Sequence, residues 1–423
     1  MSEQNFALDH LELGGFETMV NIPSYDVQGE IRMTDFIEQC LREADVRIIS
    51  LPLGDSTDEH SGRRVLIAEK GSQDAEFTLM FYTHVDAVRP PASWANPHFH
   101  RREGKIYGNA AWDMKYKIPI MISLAHTARV PKGMNVRFAF CPDEEKTSKG
   151  AHKLLAWNKM KETDLVISGE IPGDVPQREP GAPMRFVTKR RGVVKMTGEI
   201  WREERGHGSR AGVNAIREFS NANVLVQRYQ KQFIKESGGT HPILGHDELR
   251  EAGLMAPKSK YQNTKRRLSF DMNANVVPTA RPRSFEDILR TYQDGFERIA
   301  RARKWAANGI HHSLTRVDDS IDPSYLPYDQ SSDHELFLPV REAIRNVCHP
   351  DQEATETPGI AWGDQNLFVA KGIPCFEVFA DGSNCHDSNE WVCEEDIGKI
   401  REVFRHCIEQ AFLPIIEKQR HAA

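Results

Sequence analysis

No stretch of the 423 residues is apolar for long enough to cross a bilayer; a spanning helix needs a run of roughly 18 or more. The first residues, MSEQNFALDH, lack the basic and apolar regions of a secretory signal. The expectation is a soluble, cytoplasmic protein with no membrane partner. Cysteine is sparse: seven residues, at 40, 141, 348, 375, 385, 393 and 407, odd in number and without a C-x-x-C pair. That pattern excludes both a disulfide framework and a thiolate zinc knuckle. Positive charge is not in excess either. The net charge is -6, and basic runs such as 189–191 and 265–267 are too short to track a phosphate backbone, so nucleic acid is not expected as a partner.

What is present is ordinary folded composition, 39% hydrophobic and 27% charged, in a chain longer than one core organises. Strand-like runs alternate with helical patterns: 77–82, then a helix over 118–128, a strand at 136–141, a helix over 149–161 and a strand at 165–168. Such alternation predicts a parallel sheet with crossover helices. The texture changes near 190: a strand-like segment at 193–201, a helix over 214–233, an irregular polar stretch over 236–266, another strand-like segment and a helix over 295–306. The mixed pattern then returns, with a helix over 333–348, a strand at 374–379 and a final helix from 394 to about 418. The fold class expected is α/β: a discontinuous catalytic domain with a mainly parallel sheet (1–190 and 321–423) and an inserted α+β lid or dimerisation domain (191–320).

Four strand candidates run into acids or histidines just past their carboxyl ends: FYTHVDAV (His84, Asp86), AFCPDEE (Glu144, Glu145), LVISGE (Glu170) and CFEVFADGSNCH (His386). That edge is where open α/β sheets bind ligands. Asp113, in YGNAAWDMK, opens the helical stretch after a glycine-containing loop. Carboxylates and imidazoles converging on one edge would repel unless cations neutralised them, and this ligand set suits zinc, manganese or cobalt. Of the adjacent pair Glu144 and Glu145, one can coordinate an ion while its neighbour takes a proton from a water that the ion acidifies. An acidic helix N-terminus is the bland alternative for that pair.

In order and spacing these motifs resemble the aminoacylase, carboxypeptidase G and succinyl-diaminopimelate desuccinylase family of metallopeptidases. The matching pieces are THVDAV, GKIYGNAAWDMK, PDEEKTSKGA, SGE, RRGVV, HGSRAGVNAI, NANVVP, GIPCFEVF and HDSNEWV. The resemblance implies one or two zinc or manganese ions per subunit, with cobalt as a third candidate. Asp113 would bridge, with His84 and Glu170 completing one position and Glu145 and His386 the other. It further implies Asp86 orienting His84, Glu144 as general base and then acid, and a cis peptide between Asp113 and Met114. Asn275 and Arg290 would grip the substrate. His207 would reach the active site of a second subunit, in a homodimer formed through the lid. Departures surround the ligands: Thr83, Asn109, Trp112, Arg210 and Trp362 stand where the family has other residues. Trp112 and Trp362 are candidates for stacking on a flat substrate, with burial in the core as the alternative. The expected activity is C–N bond hydrolysis in a small molecule, first an amide of a dipeptide or N-acyl amino acid. The alternatives are deamination of an aromatic amine, as in the family's nitroanthranilate aminohydrolase branch, and an inactive binding relative.

Overall fold

The computed structural model describes residues 10–54, 62–173, 175–179, 182–202, 240–242, 244–246, 248–254, 267–318, 324–348 and 352–422. The chain divides into two compact units, Met1–Thr188 with Gln330–Ala423, and Lys189–Asp329. The sequence-based boundaries were 190/191 and 320/321.

The first unit is organised by an eight-stranded sheet. Its centre is Phe77–His84, paired in parallel with Met134–Cys141 on one side and with Leu165–Ser168 on the other. Cys375–Val378 adds in parallel to Leu165–Ser168, so the returning chain completes the sheet begun by the first segment. The antiparallel strands Arg64–Gly71 and Arg47–Pro52 extend one edge, and Arg185–Val187 and Thr355–Glu356 the other. All eight residues of Phe77–His84 and of Met134–Cys141 are buried, as expected of strands covered on both faces.

Alternation along these strands feeds two cores. Leu79, Phe81, Val136, Phe138, Ile167 and Phe376 point to one, with the helices His10–Asn21, Val27–Leu41, Lys117–Thr127 and Glu394–His406. Met80, Tyr82, Ala139, Cys141 and Val166 point to the other, with Ala151 and Leu154 of Lys149–Leu155 and Phe368 of Asp364–Ala370. Because all four central strands end at the same edge, their next residues are delivered to one place.

The second unit is a four-stranded antiparallel sheet in the order Glu248–Leu254, Arg267–Val276, Gly192–Arg202, Ile310–Arg316. Val194, Met196, Ile200, Phe270 and Met272 face Ile288, Phe296 and Ile299 of the helix Phe285–Ala302. That helix starts ten residues before the expected 295: Ser284 and Asp287 form a capping box at its N-terminus, and Phe285, Ile288, Leu289 and Tyr292 continue the apolar face back to that cap. Within the stretch expected to be irregular, Glu248–Leu254 is a strand, and Ile310–Arg316 is another that lacked a prediction. The expected helix 214–233 lies outside the described residues. In the first unit, helix 149–161 breaks into Lys149–Leu155 and a short 3-10 turn, Asn158–Glu162, and the helix expected from 333 begins at Leu338. The final helix is interrupted by a π turn at Cys407–Ala411.

Candidate metal centre

Each strand end supplies one donor. His84 is the last residue of Phe77–His84, and its Nδ1 faces the backbone oxygen of Asp86 at 3.2 Å. That carbonyl accepts a hydrogen bond from Nδ1–H, which leaves the Nε2 lone pair directed at Asp113 Oδ1, 3.0 Å away. Glu170 Oε2 stands 3.9 Å from the same Nε2. The other Asp113 oxygen, Oδ2, lies 3.1 Å from His386 Nε2, which is also 3.0 Å from Glu145 Oε1. One carboxylate therefore presents one oxygen to each imidazole. Lone pairs opposed at such distances need a proton or a cation between them, and the nitrogen and oxygen donors match a pair of divalent ions that share Asp113. Donor atoms of His84, Asp113 and Glu170 all lie within 4.8 Å of one another.

The chain holds Asp113 tightly. It sits in a π turn, Ala111–Lys115, and its peptide bond to Met114 is cis. The buried Glu390 carboxylate accepts from the backbone N–H groups of Ala110, Trp112 and Asp113, each at 2.9 Å. Burial, reinforced by Asp113, raises Glu390 to about 8. Lys115 Nζ donates to Ile22 O and Lys117 Nζ to Val378 O, so two buried lysines tie the flanks of the loop to neighbouring elements. Burial opposes ionisation of Asp113, yet where a proton and not a cation lies between them, the imidazoles of His386 and His84 donate to it and keep it below its ordinary value.

Glu144 and Glu145 follow Asp143, whose φ is +74°. Both Asp86 carboxylate oxygens are taken up by this turn, accepting from Glu144 N at 3.1 Å and Glu145 N at 3.0 Å. Asp86 thus supports His84 mainly through its backbone carbonyl, its carboxylate being 3.5 Å from Nδ1, and devotes its side chain to the acidic pair. Arg63 ties Asp143 Oδ1 at 2.6 Å to Glu30 at 2.7 Å from below. Burial, then the neighbouring Glu170 carboxylate, raises Glu144 well above the usual carboxylate range. Glu144 also borders Gly363, where an added Cβ would lie 3.2 Å from its Oε1 and 2.6 Å from Gln365 Oε1. Gln365 is buried; its amide donates to Ser168 Oγ at 2.7 Å, and its Oε1 has no partner among the described residues.

The structure thus gathers His84, Asp86, Asp113, Glu144, Glu145, Glu170 and His386 at one sheet edge. Asn275 lies buried in the second unit on Arg267–Val276, its Oδ1 unpartnered among the described residues. Arg290 is exposed on Phe285–Ala302. His207 lies outside the described residues. Trp112 does not serve for stacking: it is 1% exposed, its Nε1 donates to Ala380 O at 2.8 Å, and its ring closes over Gly382. Trp362 is half-buried. Sequence reasoning missed Glu390, although its acid stands inside the HDSNEWV motif, and it missed Arg63 and Gln365, which no motif marked.

Residues 80–410 match peptidase family M20/M25/M40, and the chain belongs to that family. It is a metallohydrolase acting on carbon–nitrogen bonds. Succinyl-diaminopimelate desuccinylases of Nautilia profundicola and Sulfurovum sp. are each 22% identical, over 78% of this chain and 84% and 83% of their own. Among solved structures, a tripeptidase from Staphylococcus aureus superposes with a TM-score of 0.69 at 13% identity, covering 96% of this chain and 99% of its own. A dinuclear metal-binding M20 peptidase from Bacillus subtilis gives 0.64 at 16% identity, covering 96% and 97%. These structural likenesses establish the fold.

Proposed function

We propose that the protein hydrolyses the amide of a dipeptide or N-acyl amino acid, with Glu144 as the proton-transferring residue. The observation that carries this reading is the placement of Glu144: half-buried, beside Gly363, within reach of His84 and Glu145, and on a turn whose next residue, Glu145, belongs to the donor cluster. His84, Asp113 and Glu170 would hold one divalent ion and Asp113, Glu145 and His386 the other. Such ions, zinc or manganese by donor chemistry, polarise a carbonyl and acidify water to a pKa near 7. Glu144 then accepts a proton from the attacking water and returns it to the leaving nitrogen, a transfer favoured by surroundings that stabilise its protonated form. Asp86 anchors the turn that carries both glutamates by accepting from both of their N–H groups.

Asn275, Arg290 and His207 belong to the same reading as substrate contacts. Arg290 is suited to a substrate carboxylate by its planar donor fork. The partner's His207 would stabilise negative charge on the scissile oxygen in a homodimer formed through the lid, and the support is the HGSRAGVNAI motif. Deamination of an arylamine retains one supporting tryptophan, Trp362, now that Trp112 is part of the core.

The test is a panel of dipeptides, N-acyl amino acids and arylamines, with amine, carboxylate and ammonia measured separately. An amidase releases carboxylate and amine from the first two groups. Ammonia from arylamines alone would replace this reading with the deaminase, and no turnover by metal-loaded protein would overturn both. Mixing inactive Glu144→Gln with inactive His207→Ala subunits should restore activity in hybrids; verified hybrids without activity would refute the shared site.

A further inference from the structure

The loop carrying His386 brings a second donor with it. Successive side chains of extended backbone point to opposite sides, so neighbouring residues seldom reach one point. His386 has a φ of +62°, in the left-handed region, and Asn384 a φ of +63°. The turn they make places Cys385 Sγ 3.2 Å from Asp113 Oδ2, the same oxygen that lies 3.1 Å from His386 Nε2. Sulfur, imidazole nitrogen and carboxylate oxygen come within 4.8 Å of one another. Among the described residues, the position shared by His84 and Glu170 has nitrogen and oxygen donors alone.

We propose that Cys385 is a sulfur ligand of the ion held by Asp113, Glu145 and His386, so that the two positions of the centre differ in metal preference. The inference rests on the reading of Asp113 as a bridge between two ions. Thiolate is a soft donor that suits zinc, whereas carboxylate and water suit manganese. On coordination the thiol gives its proton to solvent, as thiols bound to metals do. The sulfur-containing position accordingly prefers zinc or cobalt over manganese, and the His84 position discriminates less. One chain is able to carry two different metals.

The test requires no substrate. Full-length protein is stripped with chelator and saturated with cobalt(II); bound cobalt is counted by mass spectrometry and the near-ultraviolet thiolate-to-cobalt charge-transfer band is recorded. The native chain should bind two cobalt ions and show the band. Cys385→Ser should lose the band while the remaining ligands still bind cobalt at saturation. Its zinc affinity at one position should fall by at least the roughly 10- to 100-fold that loss of a mere outer hydrogen-bonding partner costs, with manganese affinity nearly unchanged. Cobalt saturation without the band in the native chain, or a band surviving in Cys385→Ser, would overturn the sulfur ligand and leave the bridged centre standing. A native chain that binds no cobalt would overturn both. Equal losses of zinc and manganese affinity in Cys385→Ser would show packing around the loop, not ligation, and would also overturn it.

Discussion

The two histidines of the centre sit in contrasting surroundings. His84 ends a strand whose eight residues are all buried; its side chain is 0% exposed and that of Glu170 6%. His386 rides a loop of left-handed residues, and its side chain is 46% exposed. Core packing on both sheet faces fixes the first donor before any ion arrives. The second is placed by loop conformation, and an ion bound there would complete its positioning. A pre-positioned donor loses less freedom on binding than a mobile one, so the inner position should bind more tightly and the outer one exchange faster. Asp113 joins the two because Glu390 pins its backbone at the boundary between them.

Removing that junction should have the largest effect. Asp113→Ala is expected to lose both ions and all measurable turnover, read by metal analysis alongside activity; full occupancy of either position would break the bridge. Glu144→Gln should lower kcat by about 100-fold or more, the scale of general acid–base catalysis, with both ions retained. Loss of metal there would make Glu144 a ligand, as its proximity to His84 and Glu145 permits. His386→Ala tests the contrast directly. It should empty the outer position alone, leaving one ion per chain, whereas His84→Ala should weaken the inner one. Loss of both ions in His386→Ala would mean that the positions fill only together.

Glu390→Gln should act on stability more than on chemistry. The amide oxygen of Gln can still accept from Trp112 and Asp113, but its N–H₂ group then meets the N–H of Ala110, and a buried donor left unsatisfied costs roughly 1 to 3 kcal/mol. Denaturant unfolding of the metal-free protein should show a loss of that size; an unchanged midpoint would mean that the Asp113 loop is held by Lys115 and Lys117 instead.

The same contrast governs what the sequence disclosed. The strand-end donors were legible because uninterrupted runs such as FTLMFY make the strand, and the sheet edge then gathers whatever follows it. Cys375–Val378 could be assigned to the first sheet for the same reason. The bracing of the centre was not legible. Arg63, Glu390 and Gln365 reach it from distant segments through single side chains, a kind of contact that periodicity does not encode. Trp112 stayed open between a binding surface and the core because the contacts that decide it are remote in sequence: its indole closes over Gly382 and finds its partner in the Ala380 carbonyl. In the second unit the helix start was legible and was passed over, since the Ser284–Asp287 capping box leads into apolar residues at helical spacing.

Gly363→Ala should produce the smallest effect and the finest test of how closely Glu144 is positioned. The backbone there has a φ of -173°, extended and open to any residue, so alanine brings no conformational strain. Its methyl group would lie 2.6 Å from Gln365 Oε1 and 3.2 Å from Glu144 Oε1, and only the first is closer than a real contact allows. The amide is the far end of a flexible side chain and can give way; the carboxylate need move by only a few tenths of an ångström. Since a misplacement of about 1 Å can cost roughly 100-fold, the expected fall in kcat is smaller, about tenfold, with metal content and thermal stability near normal. The double variant Gly363→Ala with Gln365→Ala removes the tighter clash and separates the two routes. Recovery of kcat would show that the displaced amide had been pushing on its surroundings, and no recovery would assign the loss to the methyl pressing on Glu144 itself. A Gly363→Ala enzyme with unaltered kcat would mean that Glu144 does not work from the position where this structure places it.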